Sequence, residues 1–155
     1  MSNIAIKKFS SATELEAKRQ EILKSRNSGQ AVIAICCGTG CQAYGAKKVA
    51  DAFEEELAKA GLGDKVEVRT TGCHGFCERG PLVVIRPQNI FYQRLKISDI
   101  PEIIEKTIKN NEVIERLLYV DPMTKEKKVH EHDVPFYKKQ MRLVFGNNGN
   151  IDPTS

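Results

Sequence analysis

The fold is decided by one stretch of the sequence, Ala31-Val32-Ile33-Ala34-Ile35-Cys36-Cys37-Gly38-Thr39-Gly40-Cys41. Its first six residues form a continuous apolar run rich in β-branched side chains, which predicts a strand buried on both faces. A helix is predicted to follow over residues 42–60, and Gly61-Leu62-Gly63 ends it. The residues that keep to helical spacing on its inner face are Ala46, Val49, Ala50, Phe53 and Leu57. The first cysteine cluster therefore lies in the loop between a strand and a helix.

A second cysteine cluster also follows a strand. Residues 66–70 alternate between apolar and polar as a half-buried strand does, and they lead into Cys73-His74-Gly75-Phe76-Cys77. Two apolar runs, 82–86 and 90–95, flank the turn residues Pro87-Gln88-Asn89 and predict a β-hairpin. A last helix is predicted to start near Ser98-Asp99, with an inner face of Ile100, Ile103, Ile104 and Ile108.

Both ends of the chain differ from this central region. Ser11-Ala12-Thr13-Glu14 is a capping-box pattern that predicts an N-terminal helix, and Asn27-Ser28-Gly29 supplies its C-terminal stop. Beyond about Val120 the sequence is polar and rich in turn residues, which predicts an extended C-terminal tail with one strand at residues 141–145.

The order of these elements predicts an α/β fold. These elements pack most simply as a small mixed sheet flanked by helices. Thioredoxin-like architecture has the same order of elements. We therefore predict an N-terminal helix in residues 1–30, a thioredoxin-like domain in residues 31–118 and a linker in residues 119–155.

The composition excludes several functional classes. With 155 residues, 41% of them apolar and 28% charged, the sequence is typical of a soluble globular protein with one core. No stretch approaches the roughly 20 consecutive apolar residues of a bilayer span. Residues 1–10 lack the apolar run of a signal peptide, so we expect a cytoplasmic protein without membrane insertion. A net charge of +4 without a Lys/Arg block, and only 6% aromatic residues, make nucleic acid an unfavourable partner.

All five cysteines lie in the two glycine-rich loops. The odd number and the clustering argue against a secreted disulfide framework and favour metal or redox chemistry. Four residues separate Cys36 from Cys41, and three separate Cys73 from Cys77. In a [2Fe-2S] centre each iron takes two thiolates, so two such pairs supply the four ligands. Glycines allow backbone amides to approach an anionic cluster closely.

Two other uses of these thiols remain open. A docking module with a structural zinc also needs four thiolates, although zinc pairs are usually separated by two residues. A thiol-disulfide oxidoreductase would use Cys36, Cys37 or Cys41, although the sequence contains no Cys-x-x-Cys. No residue is typical of a general base or nucleophile, so the chain is not expected to be catalytic on its own. We interpret His74 as a structural loop residue, and His130 and His132 as solvated residues of the tail.

The cysteine loops carry a resemblance to a known family. The run Cys36-Cys37-Gly38-Thr39-Gly40-Cys41 with Tyr44-Gly45-Ala46, and the run Cys73-His74-Gly75-Phe76-Cys77-Glu78-Arg79-Gly80-Pro81, resemble the thioredoxin-like [2Fe-2S] ferredoxins over about residues 28–110. The resemblance implies a one-electron carrier whose cluster ligands are Cys36, Cys41, Cys73 and Cys77, and it leaves Cys37 as a free thiol. Phe76, Glu78 and Arg79 are expected at the surface near the cluster, as candidates for partner contacts, although packing within the loop explains Phe76 equally well.

The tail carries a second resemblance. Asp121-Pro122, His130, residues 134–140 and Ile151-Asp152-Pro153 are similar to the linker in the flavin-carrying subunit of NADH dehydrogenase-like complexes and NAD(P)-linked hydrogenases. In those subunits the linker leads into a domain that binds FMN and NADH. The sequence stops at Ser155, before any glycine-rich nucleotide loop, so FMN and NADH are implied only for a downstream domain, and a fragment is favoured over a standalone carrier. The implied partners are other redox subunits or domains of such an oxidoreductase complex.

Overall fold

The structure, a computed structural model, describes residues 8–26 and 30–153. It divides into two compact units, Met1–Gln30 and Ala31–Ser155. Among the described residues, no helix is both long enough and apolar enough to cross a membrane.

The first unit contains one helix, α1 (Ala12–Arg26). Its start is the predicted one, because the Glu14 N–H donates to Ser11 Oγ at 3.2 Å. The Glu14 carboxylate accepts the N–H of Ser10 at 3.0 Å. The predicted stop at residues 27–29 lies outside the described residues.

The second unit is built on a four-stranded sheet. Its strands are β1 (Ala31–Cys36), β2 (Val66–Thr71), β3 (Val83–Arg86) and β4 (Ile90–Tyr92), in the spatial order β2-β1-β3-β4. Strand β2 runs parallel to β1, while β3 pairs antiparallel with both β1 and β4. The predicted mixed sheet and its hairpin are therefore confirmed.

The predicted helix over residues 42–60 is two helices in the structure, α2 (Thr39–Ala43) and α3 (Ala46–Lys59). Gly45 separates them with a φ of 88°, a left-handed conformation that cannot continue a right-handed helix. The residues predicted for the inner face of α3 are all buried. The last predicted helix begins as α4 (Ile100–Glu102) and continues as a π-helical segment, Ile103–Lys109.

Both faces of the sheet are buried, as the apolar run of β1 predicts. Ile33 and Ile35 point into the larger core with Phe53 of α3. Ala34 and Cys36 alternate with them and point into a second, smaller core with Phe76, Leu82, Val84, Phe91, Tyr119 and Val134. The smaller core joins the cysteine loops to the C-terminal tail.

The tail forms more structure than the sequence predicts. Strand β5 (Tyr119–Val120) pairs antiparallel with β6 (Lys127–Lys128), and a short helix α5 (Pro135–Lys138) follows. The prediction of a strand at residues 141–145 is wrong, because the backbone bends there and no described strand pairs with it. The side chains of Met141, Leu143 and Val144 are exposed.

Candidate functional site

The parallel pairing of β1 and β2 brings the two cysteine loops together. Parallel neighbours end at the same edge of a sheet, and Cys36 lies opposite Thr71 in the register. The Cys37 N–H donates to Thr71 O at 3.0 Å, and the Cys36 N–H donates to Leu82 O at 3.0 Å. The end of β1 is thus fixed between the two segments that carry the other cysteines.

The four cysteines that the family resemblance predicts as ligands lie in two pairs. The Cys41 thiol donates a hydrogen bond to Cys36, and both side chains are almost fully buried, with exposed fractions of 0% and 1%. The sulfur atoms of Cys73 and Cys77 are 4.0 Å apart, and both residues are half-buried. This arrangement provides two separate pairs of thiols, one from each loop.

Three glycines keep the two loops in close contact. A Cβ atom at Gly38 would lie 2.7 Å from Cys73 Cβ, and one at Gly40 would lie 2.8 Å from Cys77 Sγ. A Cβ atom at Gly80 would likewise lie 2.9 Å from Cys41 Sγ. Each of these three glycines faces a cysteine of the opposite loop, so a side chain at any of them would collide with that cysteine.

Backbone amides point at the sulfur atoms. The Gly75 N–H donates to Cys73 Sγ at 3.3 Å. The hydrogen bond from Cys41 lowers the pKa of the Cys36 thiol to about 5, and the backbone N–H groups of His74 and Gly38 lower it further against the effect of burial. The same hydrogen bond, together with burial, raises the pKa of the Cys41 thiol. Burial also raises the pKa of the Cys77 thiol, so among the four candidate ligands the loops favour negative charge on the Cys36 sulfur.

Cys37 belongs to neither pair in the hydrogen bonds of the described residues. Its side chain is half-buried and packs against both cores. Burial is the largest cause that raises the pKa of its thiol, and the nearby Cys36 adds to it. Its assignment as a free thiol stays a prediction.

His74 and His132 take the positions that the sequence analysis favours, but His130, predicted as solvated, is half-buried, with its Nδ1 atom 3.1 Å from Gln88 O. His74 is buried, with Nε2 3.4 Å from Thr71 Oγ1 and Nδ1 3.1 Å from the Tyr137 hydroxyl. His130 and His132 stack on each other with ring centroids 5.5 Å apart. Within residues 8–26 and 30–153, no three His, Cys, Asp or Glu side chains converge on a point that could hold a single metal ion.

The C-terminal tail covers the second cysteine loop, and the sequence analysis missed this. The Phe136 ring stacks on the Phe76 ring with centroids 4.2 Å apart. Arg142 Nη2 donates to His74 O at 2.7 Å, and Asn148 Nδ2 donates to Cys73 O at 3.2 Å. Phe76 is consequently buried, which agrees with packing within the loop rather than with a partner contact at the surface. The available signal was the apolar run at residues 134–137 in an otherwise polar segment.

Comparison with known proteins agrees with this site. The family model for the thioredoxin-like [2Fe-2S] ferredoxins matches residues 21–108. The chain belongs to this family. The fold predicted from the sequence is confirmed, and the chain is a [2Fe-2S] electron carrier of the thioredoxin-like type.

Individual relatives of this ferredoxin domain match at moderate identity. A 2Fe-2S ferredoxin of Clostridium pasteurianum is 38% identical over 77 residues, which is 50% of this chain and 76% of that protein. The structure of a thioredoxin-like [2Fe-2S] ferredoxin from Aquifex aeolicus superposes with a TM-score of 0.54 at 29% identity, covering 58% of this chain and 90% of that chain. The NADP-reducing hydrogenase subunit HndB of Solidesulfovibrio fructosivorans is 38% identical over 74 residues, which is 46% of this chain and 58% of that subunit.

The residues present fit a [2Fe-2S] cluster. Four thiols in two pairs are the donor set that the group needs, and the three glycines let the two loops that carry them approach each other closely. Amide donors toward sulfur are the outer contacts that stabilise such a cluster.

Proposed function

We propose that Cys36, Cys41, Cys73 and Cys77 ligate the cluster, with Cys36 and Cys41 on one iron and Cys73 and Cys77 on the other. The observation that carries this proposal is the arrangement of the four thiols in two pairs across facing glycines. A bound [2Fe-2S] cluster accepts and releases one electron at a time. The chain contributes ligation, burial and hydrogen bonds to the sulfur atoms, while the redox chemistry belongs to the cofactor.

The negative charge of the cluster determines what the loops must do. The net charge of two ferric ions, two sulfides and four thiolates is about −2, and reduction by one electron changes this charge to about −3. The N–H groups of Gly38, His74 and Gly75 face two of the ligand sulfurs and stabilise that charge. Burial of Cys36 and Cys41 excludes water from one half of the site.

The structural-zinc alternative is less well supported. A zinc ion needs its thiolates at one tetrahedral point, with Zn–S distances of about 2.3 Å. Among the described residues, no such convergence of three or more ligating side chains exists. Separate thiol pairs suit two irons better than one zinc.

The thiol-disulfide alternative has one favourable observation, the lowered pKa of Cys36. Catalytic thiolates must also reach a disulfide substrate, and reactive cysteines are therefore partly exposed. Cys36 and Cys41 are 1% and 0% exposed, and burial raises the pKa of the half-buried Cys37, so none of the three thiols combines access with a lowered pKa.

We further propose that the carrier works within an NADH dehydrogenase-like or NAD(P)-linked hydrogenase complex. The resemblance of the tail to the linker of the flavin-carrying subunit supports this, as does the hydrogenase subunit among the relatives. FMN and NADH would bind in another domain or subunit of that complex, and the electron partners would be other redox subunits or domains. NADH alone should then leave the visible spectrum of this chain unchanged, whereas NADH with an FMN-carrying partner subunit should bleach it.

Metal analysis tests the ligand set directly. The chain is purified anaerobically, and iron, zinc and acid-labile sulfide are measured beside the visible spectrum before and after dithionite. We expect two irons and two sulfides per chain, with bleaching on reduction. Cys73→Ser should abolish normal cluster assembly, whereas Cys37→Ser, the matched control, should assemble it fully. An intact cluster in the Cys73 variant would overturn the ligand assignment, and zinc without sulfide would support the docking module.

A further inference from the structure

Arg142 is held over the second cysteine loop from several sides. Its Nη2 atom donates to His74 O at 2.7 Å. The guanidinium carbon lies 5.0 Å from the centroid of the Tyr137 ring and 5.4 Å from that of the Phe136 ring. Arg142 also lines a cavity of about 230 Å³ together with Cys73, His74 and Gly75. The tail thus fixes a cation beside one of the two cysteine pairs.

The carbonyl that Arg142 contacts belongs to a peptide group that also contacts a ligand sulfur. His74 C=O and Gly75 N–H are the two ends of one peptide bond, and the Gly75 N–H donates to Cys73 Sγ at 3.3 Å. Arg142 donates to the other end of the same group. A hydrogen-bond donor at the carbonyl oxygen polarises the peptide group and thereby strengthens the hydrogen bond that the N–H of the same group donates.

Asn148 repeats this arrangement one peptide earlier. Cys73 C=O and His74 N–H form one peptide bond, and Asn148 Nδ2 donates to Cys73 O at 3.2 Å. The N–H of His74 faces the sulfur of Cys36. Two successive peptide groups therefore connect tail side chains to one sulfur of each thiol pair.

We propose that Arg142 and Asn148 are positioning residues that raise the reduction potential of the cluster by holding and polarising these two peptide groups. This proposal rests on the ligand set proposed above. Reduction adds one negative charge to the cluster, so N–H donors to sulfur stabilise the reduced state more than the oxidised state. Arg142 adds a full positive charge in a half-buried position, where salt screens it less than at the surface.

The test is an anaerobic redox titration of the visible absorbance, on chains whose iron and sulfide contents are first shown to match the wild type. The variant Arg142→Gln keeps an amide donor but removes the charge, and we expect its reduction equilibrium constant to fall about tenfold, which is about 59 mV for one electron. Asn148→Ala should shift the potential in the same direction by a smaller amount. Arg142→Lys keeps the charge and should recover at least half of the loss.

Lys139→Gln is the matched control, because Lys139 is an exposed cation of the same segment, with no ion pair to another residue in the described part of the chain. Its potential should equal that of the wild type.

Unchanged potentials in Arg142→Gln and Asn148→Ala at full cluster content would overturn the proposal, even if both variants melted at a lower temperature. A shift in Lys139→Gln as large as that in Arg142→Gln would also overturn it, because net charge alone would then be responsible. If Arg142→Gln fails to assemble a cluster, Arg142→Lys and Asn148→Ala decide the question by the same titration. A wild type without iron and sulfide would instead refute the proposed function itself.

Discussion

Replacing Gly38 by alanine should force the two cysteine loops apart. The new Cβ would lie 2.7 Å from Cys73 Cβ and 3.0 Å from Cys73 Cα, which is short of ordinary contact by about 0.7 Å for the closer atom. The backbone of Gly38 is extended, with φ −60° and ψ 159°, so alanine is not strained by its own conformation. The N–H group that faces Cys36 also stays in place. The substitution therefore tests close packing alone.

The expected cost is that of overpacking a well-packed site, about 1–3 kcal/mol. Because Cys73 Cα is part of the backbone, the contact cannot be relieved by rotation of a flexible side chain. Urea denaturation of the reduced, cluster-free chain measures this cost. With a typical slope of about 1–3 kcal/mol per M, the midpoint should fall by about 1 M. Cluster occupancy after anaerobic reconstitution should fall as well, because the two thiol pairs move apart.

Gly63→Ala is the control for glycine replacement in general. A Cβ atom at Gly63 meets no atom within 4 Å, so this variant should unfold at the wild-type midpoint or slightly above it. If Gly38→Ala has the stability of Gly63→Ala and binds two irons per chain, the close approach of the loops is not required and the reasoning fails.

Two further predictions concern the core and the tail. Phe53→Ala removes a fully buried ring from the inner face of α3 and should lower the free energy of unfolding of the cluster-free chain, measured in urea, by about 3–5 kcal/mol. Lys48→Ala, at an exposed position of the same helix, should change this free energy by less than about 0.5 kcal/mol. A loss below about 1 kcal/mol in Phe53→Ala would contradict the assigned core. For Glu131, burial raises the pKa of the carboxyl, but the hydrogen bond and charge of His74, with Arg86 and Arg142, outweigh burial and lower it overall. A lowered pKa stabilises the fold above the unfolded value of about 4.3, so the stability difference between wild type and Glu131→Gln should shrink as the pH falls from about 5 through the lowered pKa. A difference that is the same at pH 3 as at pH 5 would contradict this pairing.

The central domain could be predicted because its signals are local. The β-branched run of β1 and the helical spacing of the α3 inner face each involve residues close in the sequence, and the structure buries them as expected. The break at Gly45 was not predicted, because a positive φ at one glycine leaves the surrounding apolar period intact. The sequence predicted that glycines let the loops approach an anionic cluster, but it did not predict which glycine contacts which cysteine. Those contacts depend on the order of the strands in the sheet.

The tail could not be predicted because its contacts are distant in the sequence. Tyr137 reaches His74 across 63 residues, Arg142 reaches the same residue across 68, and Asn148 reaches Cys73 across 75. The spacing of apolar residues along the sequence does not predict contacts between such distant residues. A polar segment with many turn residues is instead typical of a linker. The aromatic pair at residues 136 and 137 gave the only local hint, because buried aromatic rings need a packing partner.

The site thus depends on two kinds of information that the sequence holds in different places. The cysteines and glycines beside the strand ends specify which metal centre can assemble, because they set donor number and spacing. The peptide groups of His74 and Gly75 then receive their outer hydrogen bonds from residues 142 and 148. A chain with the same cysteine spacing but a different tail would assemble the same cluster with different donors behind these amides. Cysteine spacing therefore predicts the cofactor, whereas its potential has to be derived from the side chains that contact the loop in three dimensions.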